Sequence, residues 1–417
     1  MVKTLERKSI DKKINIRYIE NNKVQYTDKN YKDIDYLNKN NLKKVFELHK
    51  SILDYKRTPL FELDNLASRL DVSKIWVKDE SYRFGLNAFK VLGGIYAVAS
   101  YLEEKYGEDV VSDLTFNELK CREVKEKVGE ITFVTATDGN HGRGIAWAAN
   151  QLGYKSVVFM PKGSSEIRLK NIKSEGAEAY ITEFNYDESV KIAEEYSKDN
   201  NGVLIQDNAW KGYEKIPMWI MQGYTTIIYE VLKELEEKSE DITHIILQAG
   251  VGSFASSILG YLVNEFGSKR PLTVIIEPEK AACMYKSAFY NDNNPHNVEG
   301  SLDTIMAGLA CGEPSTLGWE ILNKYANIFI SCSDNVAANG MRVLGNPLSD
   351  DPRIISGESG AVGIGLIDII KEYSQFKEIS EKLKINKDSK ILVINTEGDT
   401  DPEAYRDIVW NGKYNIK

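Results

Sequence analysis

The chain has 417 residues, 42% of them hydrophobic and 28% charged, which is globular composition and more chain than one small core requires; two domains are expected. Its 53 Lys and Arg against 62 Asp and Glu leave a net charge of −9, which argues against electrostatic capture of nucleic acid. Cys121, Cys283, Cys311 and Cys332 form no C-x-x-C, and His49, His141, His244 and His296 form no ligand pair, so neither a disulfide framework nor a metal site is expected. Residues 1–41 lack the apolar core of a secretory signal, and nowhere do eighteen apolar residues run together. A cytoplasmic protein with buried free thiols and no membrane partner is the expectation.

Along the chain, the first forty residues read as a charged arm, followed by a short amphipathic helix carrying Leu42, Val45, Phe46 and Leu48. Ile75 to Lys78 reads as a strand. Phe89, Val91, Leu92, Ile95, Val98 and Leu102 then keep a 3.6 period, which predicts a helix capped by Asn87 with Lys90 in its first turn. Residues 103–130 read as a surface insertion with helical tendency. Strands are expected at 131–134, 156–160, 178–181 and 203–205, with helices after Gly142, at 166–174 and at 187–197, a βαβ series that implies a parallel sheet. A long helix at 218–235 precedes a second series with strands at 243–247, 273–276, 328–330 and 391–394. Residues 291–300 should form a loop, and 376–390 a charged surface helix and turn. The fold class is therefore α/β, as two layers sharing a cleft.

Three places are candidates for chemistry. Gln248-Ala249-Gly250-Val251-Gly252-Ser253 joins an apolar strand to an apolar helix, where glycines admit an anion to the helix N-terminus. Gly250 to Ala255 also satisfies the dinucleotide pattern, with Glu277 as a ribose-binding acid, so a nicotinamide dehydrogenase is one reading and a ligand-free tight turn another. Thr135 to Gly144 is a polar strand-to-helix loop in which Asp138 and Asn140 are residue types that cap helices. Lys90 lies in a mostly apolar stretch; one lysine is ordinarily a solvated charge, but burial lowers its pKa, and a neutral amine can add to a carbonyl.

A lysine after Phe, a Gly-Asn-His loop and a glycine-rich loop, in that order, resemble the fold-type II pyridoxal-phosphate enzymes. The fuller strings Ser81-Tyr82-Arg83-Phe84-Gly85-Leu86-Asn87-Ala88-Phe89-Lys90, Thr137-Asp138-Gly139-Asn140-His141-Gly142, Ser356-Gly357-Glu358-Ser359-Gly360 and Thr396-Glu397-Gly398-Asp399 resemble the diaminopropionate ammonia-lyases, over about residues 60–410. The resemblance implies two parallel-sheet α/β domains, 1–88 with 225–417 and 89–224, around a cleft that holds pyridoxal 5′-phosphate. It implies that Lys90 holds the cofactor, that Asn140 bonds its 3′-oxygen, that Gly250, Val251, Gly252 and Ser253 cradle its phosphate, and that Thr396 meets its pyridine nitrogen. It places the substrate carboxylate near Thr137 and Asn140, and gives Glu277 a structural role.

Asp138 stands where dehydratases of this fold carry a small or hydroxyl residue. A carboxylate in a partly desolvated cleft can act as a base but requires a cation nearby, and the β-ammonium of diaminopropionate supplies one. Such a pair near 4 Å, at an effective dielectric of 20, is worth about 4 kcal/mol before desolvation. The resemblance adds Asp207 as a second acid, against a plain strand-end role. The implied reaction is α,β-elimination of either 2,3-diaminopropionate enantiomer, with Lys90 as base for L and Asp138 for D. Serine or threonine dehydration is the alternative, the partner is a small amino acid, and a homodimer is expected.

Overall fold

The computed structural model describes residues 14–26, 31–107, 111, 114–137 and 139–416. Its strands are β1 (Ile16–Glu20), β2 (Leu60–Glu62), β3 (Lys74–Asp79), β4 (Thr132–Ala136), β5 (Lys155–Met160), β6 (Glu178–Ile181), β7 (Val203–Leu204), β8 (His244–Gln248), β9 (Leu272–Pro278), β10 (Ile328–Cys332) and β11 (Lys390–Asn395). They form two sheets. The larger has seven strands in the order β1-β10-β9-β8-β11-β3-β2, and the smaller four in the order β6-β5-β4-β7. The four-stranded sheet is parallel throughout, and the larger one is parallel except at its two edges, where β1 and β2 run antiparallel to their neighbours.

Continuous apolar runs dictate this arrangement. All five residues of β8 and of β10 are buried, as parallel strands covered by helices on both faces must be. The expected βαβ series is present, and the helix Glu166–Ser174 and strand β6 fall on the predicted residues. Three expectations change. Ile16–Glu20 of the arm is an edge strand, paired antiparallel with β10, so this part of the arm belongs to the larger sheet. The 103–130 segment is no surface insertion where it is described: Val111, Leu114, Phe116, Leu119 and Val124 are buried in the main core. Alternating charged residues there conceal an apolar minority that does the packing.

The third change concerns the approach to Lys90. Asn87 is not a helix cap; it has a φ of 60° and its carbonyl accepts from Gly398 N at 3.0 Å. The helix is Val91–Tyr106, and Lys90 occupies its N-cap position instead of its first turn. Residues 87–89 pair with 396–398, with Ala88 bridged to Glu397 and Phe89 N donating to Thr396 O at 3.2 Å. Extended pairing with the end of β11 satisfies these backbone groups before the helix can begin. The helix Asn140–Leu152 then packs on Val91–Tyr106. A Cβ at Gly144 would lie 2.9 Å from Val91 Cα, so only glycine lets the two helix starts meet and brings Asn140 toward Lys90.

Among the described residues no helix is long and apolar enough to cross a membrane, and no cluster of three His, Cys, Asp or Glu could hold a metal. The described cysteines form no disulfide bond.

Candidate active site

Between the two sheets lies a cleft lined from both sides. Parallel strands supply its wall at their C-terminal ends, where helix N-termini leave backbone donors unpaired. β8 contributes Gln248 and the glycine loop, β11 leads into Thr396 and Glu397, and β4 leads into Thr137, Asn140 and His141. Lys90 and Asp207 lie on the same wall. Residues more than 300 positions apart in sequence thus converge. Asp138 lies outside the described residues.

Lys90 Nζ donates to Asp207 Oδ2 at 2.6 Å, with the lysine side chain 16% exposed and the aspartate 2%. Burial raises the Asp207 pKa, but the Lys90 ammonium beside it, with a smaller contribution from the His141 ring, outweighs it and holds the group at about 2, as a carboxylate. His141 donates from Nε2 to Ile205 O at 2.9 Å; because a carbonyl only accepts, the other ring nitrogen, Nδ1, is the bare one, and it is buried without a hydrogen-bond partner. Burial lowers the pKa of this ring.

The glycine loop opens the helix Ser253–Phe266 from Gly252, whose φ of 94° suits glycine and disfavours any other residue. Ser253 Oγ donates to Asp207 O at 2.5 Å, which ties this loop to the acid that faces Lys90. On the opposite side, Gln248 Nε2 donates to Ile394 O at 2.9 Å and to Thr396 Oγ1 at 3.0 Å. The hydroxyl of Thr396 is therefore the acceptor in that bond, and its own hydrogen is left to donate. Thr137 Oγ1 accepts from Gly139 N at 2.9 Å, and Asn140 Nδ2 donates to the buried Glu397. Among the described residues no side chain caps the helix Asn140–Leu152, so the capping role expected of Asn140 is not found.

Glu277 decides against a nucleotide ribose. Its two oxygens accept from Met284 N at 2.9 Å and Tyr285 N at 2.7 Å, at the start of the helix Cys283–Tyr290. A carboxylate committed to that helix end has no free face for a ribose diol.

A family profile described as "Pyridoxal-phosphate dependent enzyme" matches residues 52–397. The diaminopropionate ammonia-lyase of Escherichia coli (strain K12) is 52% identical over 371 residues, covering 89% of this chain and 91% of the relative. That of Salmonella typhimurium (strain LT2) is 49% identical over 382 residues, covering 91% and 94%. The chain belongs to the diaminopropionate ammonia-lyase family. The holo crystal structure of the Escherichia coli lyase superposes with a TM-score of 0.89 at 46% identity, covering 97% of this chain and 99% of that one. The same lyase has been crystallised with an aminoacrylate-PLP azomethine reaction intermediate, with a TM-score of 0.86 and 45% identity over 97% of this chain and 99% of that one. A tomato (Solanum lycopersicum) threonine deaminase, 18% identical over 94% of this chain and 96% of its own with a TM-score of 0.68, shares the fold.

Pyridoxal phosphate is the cofactor of this ammonia-lyase family, and the cleft fits it. An amine, a hydroxyl with a free hydrogen and a glycine loop at a helix N-terminus are the donors that an aldehyde, a pyridine nitrogen and a phosphate require. Tyr224 OH, Ser359 Oγ and His141 Nδ1 line the same cleft, buried and without hydrogen-bond partners in the protein alone. Buried polar atoms left bare in this way mark a place that a polar ligand completes. No local sequence signal assigns a role to Gln248, His141, Tyr224, Ser359 or Glu397. Gln248, His141, Ser359 and Glu397 stand inside or beside the motifs, but what each bonds depends on strands far away in the chain.

Proposed function

We propose that this chain eliminates ammonia from 2,3-diaminopropionate, accepting the D and L isomers, and with one water yields pyruvate and two ammonia. The observation that carries this reading is the buried Lys90–Asp207 pair facing the glycine loop, in a chain of the ammonia-lyase family. Lys90 would hold the cofactor through its ε-nitrogen, with Gly250, Val251, Gly252 and Ser253 at the phosphate, Thr396 at the pyridine nitrogen and Asn140 at the 3′-oxygen. When bound, the cofactor withdraws electrons from Cα and acidifies its proton.

The side chains then divide the proton work. Lys90 Nζ takes the Cα proton of the L isomer, and Asp138 takes that of the D isomer from the other face. Asp207, ionised and fixed by its pairing, keeps the Lys90 amine oriented and adds negative charge for the departing β-ammonium. Substrate binding is assigned to Thr137, Asp138 and Asp207. Two bodies, 1–88 with 225–417 and 89–224, flank this cleft. The working form would be a cytoplasmic homodimer, checked by sedimentation of the purified protein.

Pyruvate release is the decisive test. The wild type should act on both diaminopropionate enantiomers far faster than on serine. Comparable rates on serine would favour a dehydratase, a reading to which the D-serine complex of the Escherichia coli lyase gives some support. Asp138→Asn should keep the cofactor but slow the D isomer by about a hundredfold and the L isomer much less. Equal losses on the two isomers would refute separate bases.

A further inference from the structure

Glu397 is buried, it lines the cleft, and the proposed reaction gives it no part. Its main chain is in register with the approach to Lys90, through the bridge to Ala88, and its carbonyl accepts from Gly357 N at 2.9 Å. Its side chain reaches two further elements. Oε1 accepts from Ser359 N at 3.3 Å, in the first turn of the helix Glu358–Glu372, and Oε2 accepts from Asn140 Nδ2 across the cleft. A Cβ at Gly357 would lie 2.8 Å from Glu397 Cγ, so the chain leaves room for this side chain to lie where it does. One residue therefore joins the lysine segment through its main chain, and a helix start beside the larger sheet and the asparagine that follows β4 through its carboxylate.

A carboxylate only accepts, whereas a carboxamide has a donating and an accepting end of nearly equal shape. Facing Glu397, Asn140 must present its nitrogen, so its second N–H and its oxygen take up fixed directions. We propose that Glu397 is a positioning residue: its carboxylate sets the sense of the Asn140 carboxamide, so that an N–H of Asn140 is directed at the 3′-oxygen of the cofactor. This rests on the reading of Asn140 given under the proposed function. It gives a role to an acid in a buried place whose contacts a neutral amide could almost match. Glutamine at 397 would still accept from Ser359 N but would turn an N–H toward Asn140 and favour the reversed carboxamide.

The test uses purified holoenzyme and free pyridoxal phosphate as the probe. The absorption band of the lysine-bound cofactor is followed against pH, and cofactor affinity is measured by titrating the cofactor-free protein, for wild type, Asn140→Ala, Glu397→Gln and the double variant. Glu397→Gln should displace the pH dependence of the band in the same direction as Asn140→Ala and weaken cofactor affinity about tenfold. The double variant should add little to either single one, because the two act through one contact. If Asn140→Ala leaves the band unmoved, the assignment of Asn140 fails, and this proposal with it. If Asn140→Ala moves the band and Glu397→Gln does not, or the two shifts add in full, positioning by Glu397 is overturned while the cofactor site stands. Loss of diaminopropionate turnover relative to serine, with an unchanged band, would likewise overturn it in favour of direct contact with the substrate cation. Should Glu397→Gln fail to fold, Glu397→Ala, which frees Asn140 without reversing it, must show the same coupling to Asn140→Ala.

Discussion

Two sets of buried charges lie on either side of the residues that lead to Lys90, and they are built differently. Beneath β3, Arg83 donates to Glu80 at 2.8 and 2.9 Å and to both oxygens of Glu230 at 2.9 Å. Lys78 Nζ reaches Glu230 at 2.6 Å and Thr58 O at 2.7 Å, while Tyr55 OH donates to Glu230 at 2.8 Å. Two positive and two negative side chains are paired there at 0–1% exposure, joining β3, the turn Glu80–Gly85 and the long helix Lys215–Glu237. Burial alone would raise the Glu230 pKa, but Arg83 and Lys78 hold it well below the usual carboxylate range. In the cleft, Lys90 and Asp207 pair with the lysine still partly open to the cleft. A buried network with its charges balanced fixes the chain, whereas a pair left open on one side remains available for chemistry.

The comparison breaks if the two sets respond alike to mutation. Lys90→Ala should reduce turnover by at least about a hundredfold and abolish reductive labelling of the cofactor onto the chain, at a stability cost of about 2 kcal/mol from the loss of its pair with Asp207. Glu230→Ala should do the reverse in kind. It strands Arg83 and Lys78 without their acid, and should cost about 3–5 kcal/mol in denaturant unfolding before any effect on chemistry is considered. A Glu230→Ala protein as stable as wild type would show that the network is not what fixes this turn.

Asp207→Asn sharpens the contrast in the cofactor-free protein. The folded-state pKa of Asp207, about 2, lies below its ordinary value of 3.8, so the pairing stabilises fully above about 3.8 and is lost as pH falls through about 2. The shift corresponds to about 2 kcal/mol. Wild type should therefore lose more stability than Asp207→Asn between pH 4 and 2, and parallel unfolding curves would refute the pairing. Tyr55→Phe, the smallest change, removes one donor from Glu230 and should cost about 1 kcal/mol with turnover unaltered.

The glycine loop, the lysine stretch and the Gly-Asn-His loop were legible because each is local: a strand end, a few small residues and a helix start occupy adjacent positions. The packing of the arm and of residues 103–130 is hidden in the sequence because charged neighbours outnumber the few apolar residues that pack. Asn87 has the sequence context of a cap, while its backbone pairs with Gly398, more than 300 residues away. Gln248 and Glu397 stood in plain view within the motifs, yet the bond of one to Thr396 and of the other to Asn140 follows from strand order.

By itself the sequence determined the α/β class, the parallel series and the residue types that a pyridoxal-phosphate site needs, because periodicity and turn chemistry act over a few residues. Only the tertiary structure decided that Asp207 meets Lys90, that Glu277 serves a helix and not a ribose, and that Glu397 reaches Asn140. Those outcomes depend on which strand ends lie side by side, and hydrogen bonds between distant segments leave no periodic trace along the chain.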